Sequence, residues 1–168
     1  MKKLIFIRHA KSDWGNEGLK DIDRPLNERG YIDAYLQSEW LFSHHDVPQL
    51  FVSSDAARAL NTALIFARQL NYPSGEVLIH SGIYEASSEK LKAIVSELNN
   101  EINYAVMFGH NPGFTNIVNE LIDDLFFENI PTCGIVSLEF NSKSWQDAVK
   151  SKGKVAFHRF RKEFKQSL

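Results

Sequence analysis

The residues best placed to do chemistry are Arg8-His9, directly after the apolar run Leu4-Ile5-Phe6-Ile7 and directly before Ala10. A short apolar run with β-branched members reads as a buried strand. Charged residues at its downstream end project into the crevice where open α/β sheets bind ligands. The arginine fork fits a phosphate, and a neutral imidazole is a nucleophile near pH 7. The pair therefore predicts a phosphoryl-handling site. Two later strand ends carry matching groups: Ser53-Ser54-Asp55-Ala56-Ala57-Arg58 and Gly109-His110-Asn111-Pro112. Parallel strands present a common edge, so Arg8, His9, Arg58 and His110 can converge there. Phosphoryl transfer is stabilised by positioning and positive charge. Two arginines and an auxiliary histidine around a nucleophilic histidine supply these with no metal and no cofactor. A helix beginning at Ser54 or Asp55 would add its positive dipole end, and Gly109 would allow close backbone approach to the ligand or to the neighbour of His110.

The elements that must hold these residues follow from the pattern of apolar positions. Strands are expected over residues 3–8, 50–53, 77–79 and 104–108, with two late strands over 134–140 and 154–160 forming a hairpin around Trp145. Residues 11–24 are polar, contain Gly15 and Gly18, and read as a loop. Pro25-Leu26-Asn27-Glu28 opens a helix with Ala34, Leu36, Trp40 and Leu41 as its apolar positions. Further helices run from Ser54 or Asp55 through Ala67, from Ser87-Ser88-Glu89 through Leu98, and over residues 114–125. Strands alternating with helices predict a single α/β domain over residues 1–168: a three-layer sandwich, its central sheet mostly parallel and covered on both faces.

Composition narrows the function. A formal charge of −2 argues against a nucleic-acid or anionic-membrane surface. The basic stretch over residues 152–162 alternates with Val155, Phe157 and Phe160, as an edge strand with one wet face does. One cysteine, Cys133, excludes an internal disulfide. No signal peptide or spanning segment is read, so a cytoplasmic location is expected. His44-His45 lacks further ligands at metal spacing and reads as the polar end of a helix. Phe126-Phe127 and the tryptophans read as core rather than as a stacking platform.

With these residues in place, the chain resembles the histidine phosphatase superfamily, the phosphoglycerate-mutase-like group. The carrying motifs are Ile7-Arg8-His9-Ala10-Lys11-Ser12, Asp23-Arg24-Pro25-Leu26-Asn27-Glu28-Arg29-Gly30, Ser53-Ser54 to Arg58-Ala59 with Thr62-Ala63, and Gly109-His110-Asn111. The resemblance implies transient phosphorylation of His9, with Arg8, Arg58 and His110 completing the phosphate pocket. Ala10 stands where most members have glycine, and Asn16 falls one position later than the asparagine of the sugar-phosphate branch. Between Gly82 and Tyr104 there is room for one helix only, where larger relatives carry a cap. The chain thus looks like the compact SixA-type branch, which implies phosphohistidine on a protein as substrate. A small phosphate ester is the alternative substrate, and a non-catalytic phosphate-recognition module the alternative function. Two assignments stay open. Glu85 is either the general acid or a solvated carboxylate. Arg24 either approaches the phosphate or pairs with Asp21 or Asp23 to pin the loop. Oligomeric state is not legible.

Overall fold

A six-stranded sheet in the order β3-β2-β4-β1-β5-β6 organises the computed structural model, which describes residues 1–167 and the side chains of residues 1–164. The strands are β1 (Lys2–Arg8), β2 (Leu50–Ser53), β3 (Leu78–Ile79), β4 (Tyr104–Gly109), β5 (Ile135–Phe140) and β6 (Lys154–Arg159). The first four pair in parallel, while β5 runs antiparallel to β1 and β6 antiparallel to β5. The helices are α1 (Glu28–His44), α2 (Ala57–Gln69), α3 (Ser88–Ser96), α4 (Gly113–Leu121) and α5 (Trp145–Ala148).

Strand parity builds the layers, because successive side chains point to opposite faces. Leu4 and Phe6 of β1 face a core that includes Leu91, Ile94, Ile117, Val118 and Trp145, from α3, α4 and α5. Ile5 and Ile7 face the opposite core, which includes Ala34, Leu41, Ala63 and Phe66, from α1 and α2. The result is the expected three-layer sandwich with a mostly parallel sheet, and the β5–β6 hairpin encloses α5 near Trp145.

Several local expectations are corrected. α1 begins at Glu28, where the Asn27 side chain accepts from Gly30 N; Leu26 instead forms an isolated bridge with Ser12. On α1 the inward face carries Gln37 while Leu36 points to solvent. Gln37 is accommodated because its amide donates to the Cys133 and Arg159 carbonyls. α2 starts at Ala57, and its N-cap Ala56 has no side-chain cap, so neither Ser54 nor Asp55 plays that part. α4 stops at Leu121. Asn119 bonds both the N–H and the carbonyl of Phe127, which buries Phe127 and leaves Phe126 exposed. Trp145 is core as expected, but Trp14 is exposed. β3 has two residues, both exposed. Ser87 caps α3 as expected, accepting from Lys90 N. No helix among the described residues is long and apolar enough to cross a membrane.

Candidate active site

Register brings the chemical residues to one edge. Arg8 lies opposite Gly109 in the β1–β4 ladder, and Ser53 lies opposite Phe108 in the β2–β4 ladder. The parallel strands therefore end level, and their following residues meet. His9 N donates to the Gly109 carbonyl at 3.0 Å and Ser54 N to the Phe108 carbonyl at 3.0 Å. The side chains of Arg8, His9, Arg58 and His110 line one hollow of about 270 Å³, together with Lys11, Ser12, Trp14, Arg24, Asn111 and Thr132.

His9 is held as a nucleophile would need to be. Its Nδ1 lies 2.7 Å from the Ala10 carbonyl. A carbonyl only accepts, so Nδ1 carries the proton and the lone pair of the neutral ring sits on Nε2. Burial, reinforced by His110, Arg58 and Arg8, lowers the His9 pKa to about 3. The ring is thus neutral at pH 7 despite three arginines around the hollow. His110 stands with its ring centroid 5.3 Å from that of His9, and its Nε2 is 2.8 Å from the Ser54 hydroxyl. Burial first, then Arg58, lowers its pKa to about 4.

The arginines are anchored by different elements. Arg8 Nη1 donates to the Ile130 carbonyl at 3.0 Å. Arg58, in the first turn of α2, donates from Nη1 to the Asp21 carbonyl at 2.8 Å and from Nη2 to Asp21 Oδ2 at 3.1 Å. Arg24 lines the hollow and pairs with Asp21 through Nη2, so the loop-pinning contact is present. Its guanidinium also lies 3.1 Å from the centroid of Trp14. Arg8 Nε, Arg24 Nε and His110 Nδ1 are buried and find no hydrogen-bond partner among the described residues. Buried unpaired donors are expensive. The two arginine Nε–H groups are such donors, and they suit the site to an acceptor-rich group.

Glu85 is not among the residues lining this hollow. It lines an adjoining one of about 390 Å³ with Ala86, Ser87, Ser88, Pro112, Gly113 and Asn116, and His110 and Asn111 border both. Its φ of 57° is the left-handed conformation. Gly109 is required for packing rather than for a ligand: a Cβ there would stand 2.5 Å from the Phe114 ring and 2.8 Å from Ile83. Gly30 has a comparable reason, since its Cβ would fall 2.2 Å from the Lys11 carbonyl. No cluster of metal-ligating side chains occurs among the described residues, and His44-His45 does terminate α1.

Three further residues support the site: Thr62, which the sequence offered only within a motif, Asp21, which it offered only as a candidate partner of Arg24, and Tyr84, to which it gave no part. Thr62 accepts from Ala10 N at 3.0 Å and donates to the Arg58 carbonyl at 2.8 Å, coupling the backbone beside His9 to α2. Its place four residues after Arg58 was a helical-spacing signal for it. Tyr84 donates its hydroxyl to Asp21, a bond that raises the tyrosine pKa to about 12, and packs edge-on against His110 with centroids 5.5 Å apart. Asp21 joins Tyr84, Arg24 and Arg58, and these partners hold its carboxyl below the usual range.

Comparison with known proteins agrees with this geometry. Residues 4–116 match the histidine phosphatase superfamily (branch 1). An uncharacterised chloroplastic protein of Arabidopsis thaliana is 30% identical over 155 residues, covering 88% of this chain and 70% of its own. In fold the chain is similar to a candidate phosphohistidine phosphatase SixA of Agrobacterium tumefaciens, with TM-score 0.81, 24% identity, and 95% and 97% of the two chains covered. The protein histidine phosphatase SixA complexed with tungstate aligns with TM-score 0.78 and 20% identity over 93% and 95% of the chains. A mycobacterial glucosyl-3-phosphoglycerate phosphatase aligns with TM-score 0.73 and 15% identity over 94% and 98%. The match spans the strand ends that carry Arg8-His9, Arg58 and His110, and on it the chain belongs to the histidine phosphatase superfamily, branch 1.

Proposed function

We propose that this protein is a phosphatase in which His9 is the nucleophile and a phosphohistidine intermediate forms on its Nε2. The observation that carries the proposal is the convergence of a neutral, oriented His9 with Arg8, Arg24, Arg58 and His110 around one hollow. In the first step Nε2 bonds to phosphorus as the bond to the leaving group breaks. In the second, water attacks phosphorus, the bond to Nε2 breaks, and inorganic phosphate is released. The guanidinium groups stabilise the equatorial oxygens in both steps, so the charge that a metal would supply is already provided by the chain.

The substrate class we favour is phosphohistidine on another protein. The mouth has one short helix, α3, in the stretch where an enclosing cap would have to lie, which leaves the hollow open to a protruding side chain. The fold similarity to SixA supports the same class. Phosphohistidine can leave as a protonated imidazole and makes little demand on an acid, consistent with Glu85 standing in the neighbouring hollow. A small phosphate ester is the second reading. It is favoured by that same neighbouring hollow, where Glu85 could protonate an alkoxide.

His9→Ala is expected to lower turnover of an aryl phosphate by roughly a thousandfold or more. Brief incubation of wild type with labelled substrate, followed by denaturation without acid, is expected to leave label on His9. Activity of H9A within a few-fold of wild type would reject the nucleophile. Parallel assays on a phosphohistidine-bearing protein and on sugar phosphates rank the two substrate classes.

A further inference from the structure

Asp21 contacts two of the arginines of the hollow, and nothing in the proposed chemistry yet uses it. It sits in the single-turn 3-10 segment Asp21–Asp23, at the end of the loop that crosses the mouth. Its carbonyl and carboxylate Oδ2 accept from Nη1 and Nη2 of Arg58, its Oδ1 pairs with Arg24, and the Tyr84 hydroxyl donates to the same Oδ2. We infer that Asp21 is a positioning residue that sets the charge of the hollow: it orients Arg58 and Arg24 while cancelling one guanidinium charge, so that inorganic phosphate is released after hydrolysis.

The charge balance carries the inference. His9 and His110 are neutral at pH 7, so the cations lining the hollow are Arg8, Lys11, Arg24 and Arg58. Asp21 offsets one of these four charges, leaving a net of three to face a dianionic phosphoryl group. Without it, the hollow would hold a larger excess of positive charge and retain its product. The two bonds from Arg58 to Asp21 leave three of its five donor hydrogens for a ligand, so carboxylate and phosphate can share the arginine. The Asp21 side chain is 46% exposed. Solvent therefore screens its repulsion, and the effect is about tenfold rather than several orders of magnitude.

The inference rests on the phosphatase reading, and its test needs no turnover. Asp21→Asn keeps the size and the backbone carbonyl bond to Arg58 while removing the charge and one of the two side-chain acceptors, which the Asp21→Glu and Tyr84→Phe comparisons control for. Calorimetric titration with inorganic phosphate at pH 7.5 is expected to show D21N binding about tenfold more tightly than wild type. In steady state, D21N should show correspondingly stronger product inhibition and a lower kcat together with a lower KM. A contact that merely pins the loop would weaken phosphate binding when lost. Unchanged or weaker phosphate binding by a D21N protein that melts as wild type does would overturn the inference. Asp21→Glu retains the charge and should keep the wild-type affinity; tenfold tightening there would also overturn it. So would the same tightening in Tyr84→Phe, which loosens the strap but leaves the carboxylate. Failure of the phosphatase reading shows separately, as turnover that survives His9→Ala.

Discussion

At the scale of the residue, the site depends on a histidine kept neutral among arginines. Its ordinary pKa near 6.5 is lowered to about 3, chiefly by burial. For the proposed nucleophile this has a direct kinetic consequence. The neutral form predominates throughout the mildly acidic range, so kcat/KM should show no acid limb near pH 6.5 arising from His9. A pH–rate profile from pH 5 to 8 checks this. A His9 ring that titrates near 6.5 by NMR in the folded protein would contradict the burial argument. Arg8, His9, Arg58 and His110 were legible in sequence because each lies at or within a few residues of the end of a short apolar strand, and strand ends are registered by the sheet. Asp21 was legible only as a local partner for Arg24; its bonds to Arg58 and Tyr84 were not, because a carboxylate in a polar loop has no periodic partner until the loop is folded.

At the scale of the element, β4 and α4 show how tightly the site is tied to packing. Gly109 ends β4 and Gly113 starts α4, with the His110 side chain held between them. Any side chain at position 109 must displace the Phe114 ring, itself fully buried and stacked edge-on against Phe6 at 5.2 Å. Gly109→Ala is expected to destabilise the protein by about 1–3 kcal/mol, as overpacked core positions do. It should also shift His110 enough to lower activity in the protein that remains folded. Thermal melting together with kcat on the folded fraction measures both. The start of α2 was misread for an instructive reason. Ser54 has the composition of a cap, yet its hydroxyl is used by His110 and by Ala56 N, and α2 opens without a side-chain cap. The site took the residue that local propensity would have placed on the helix.

At the scale of the whole molecule, the two buried imidazoles tie folding to pH. Both are lowered in the folded state, so the unfolded chain binds more protons between the folded values and about pH 6.5. Their contribution is fully present above pH 6.5. It is lost as pH falls, down to about 4 for His110 and about 3 for His9. Each contributes a slope on the order of 1 kcal/mol per pH unit within that window. Denaturant melts at pH 7, 5.5 and 4.5 should therefore show falling stability, and His110→Gln should flatten the trend. The layer order was legible because β1 alternates between two cores. The exposed Leu36 and Phe126 were not, since their burial depended on partners that only the tertiary fold could assign: the carbonyls bound by Gln37 and the backbone bound by Asn119.

β1 lies between β4 and β5. The Arg8 guanidinium is anchored on a carbonyl 122 residues further along the chain. A ribosome therefore delivers Arg8 long before it delivers the Ile130 carbonyl that holds it. All three arginines of the hollow, at positions 8, 24 and 58, and His110 after them, precede that anchor in synthesis. A fragment that ends before residue 130 would carry these groups in its sequence but leave Arg8 without the carbonyl that fixes it in space.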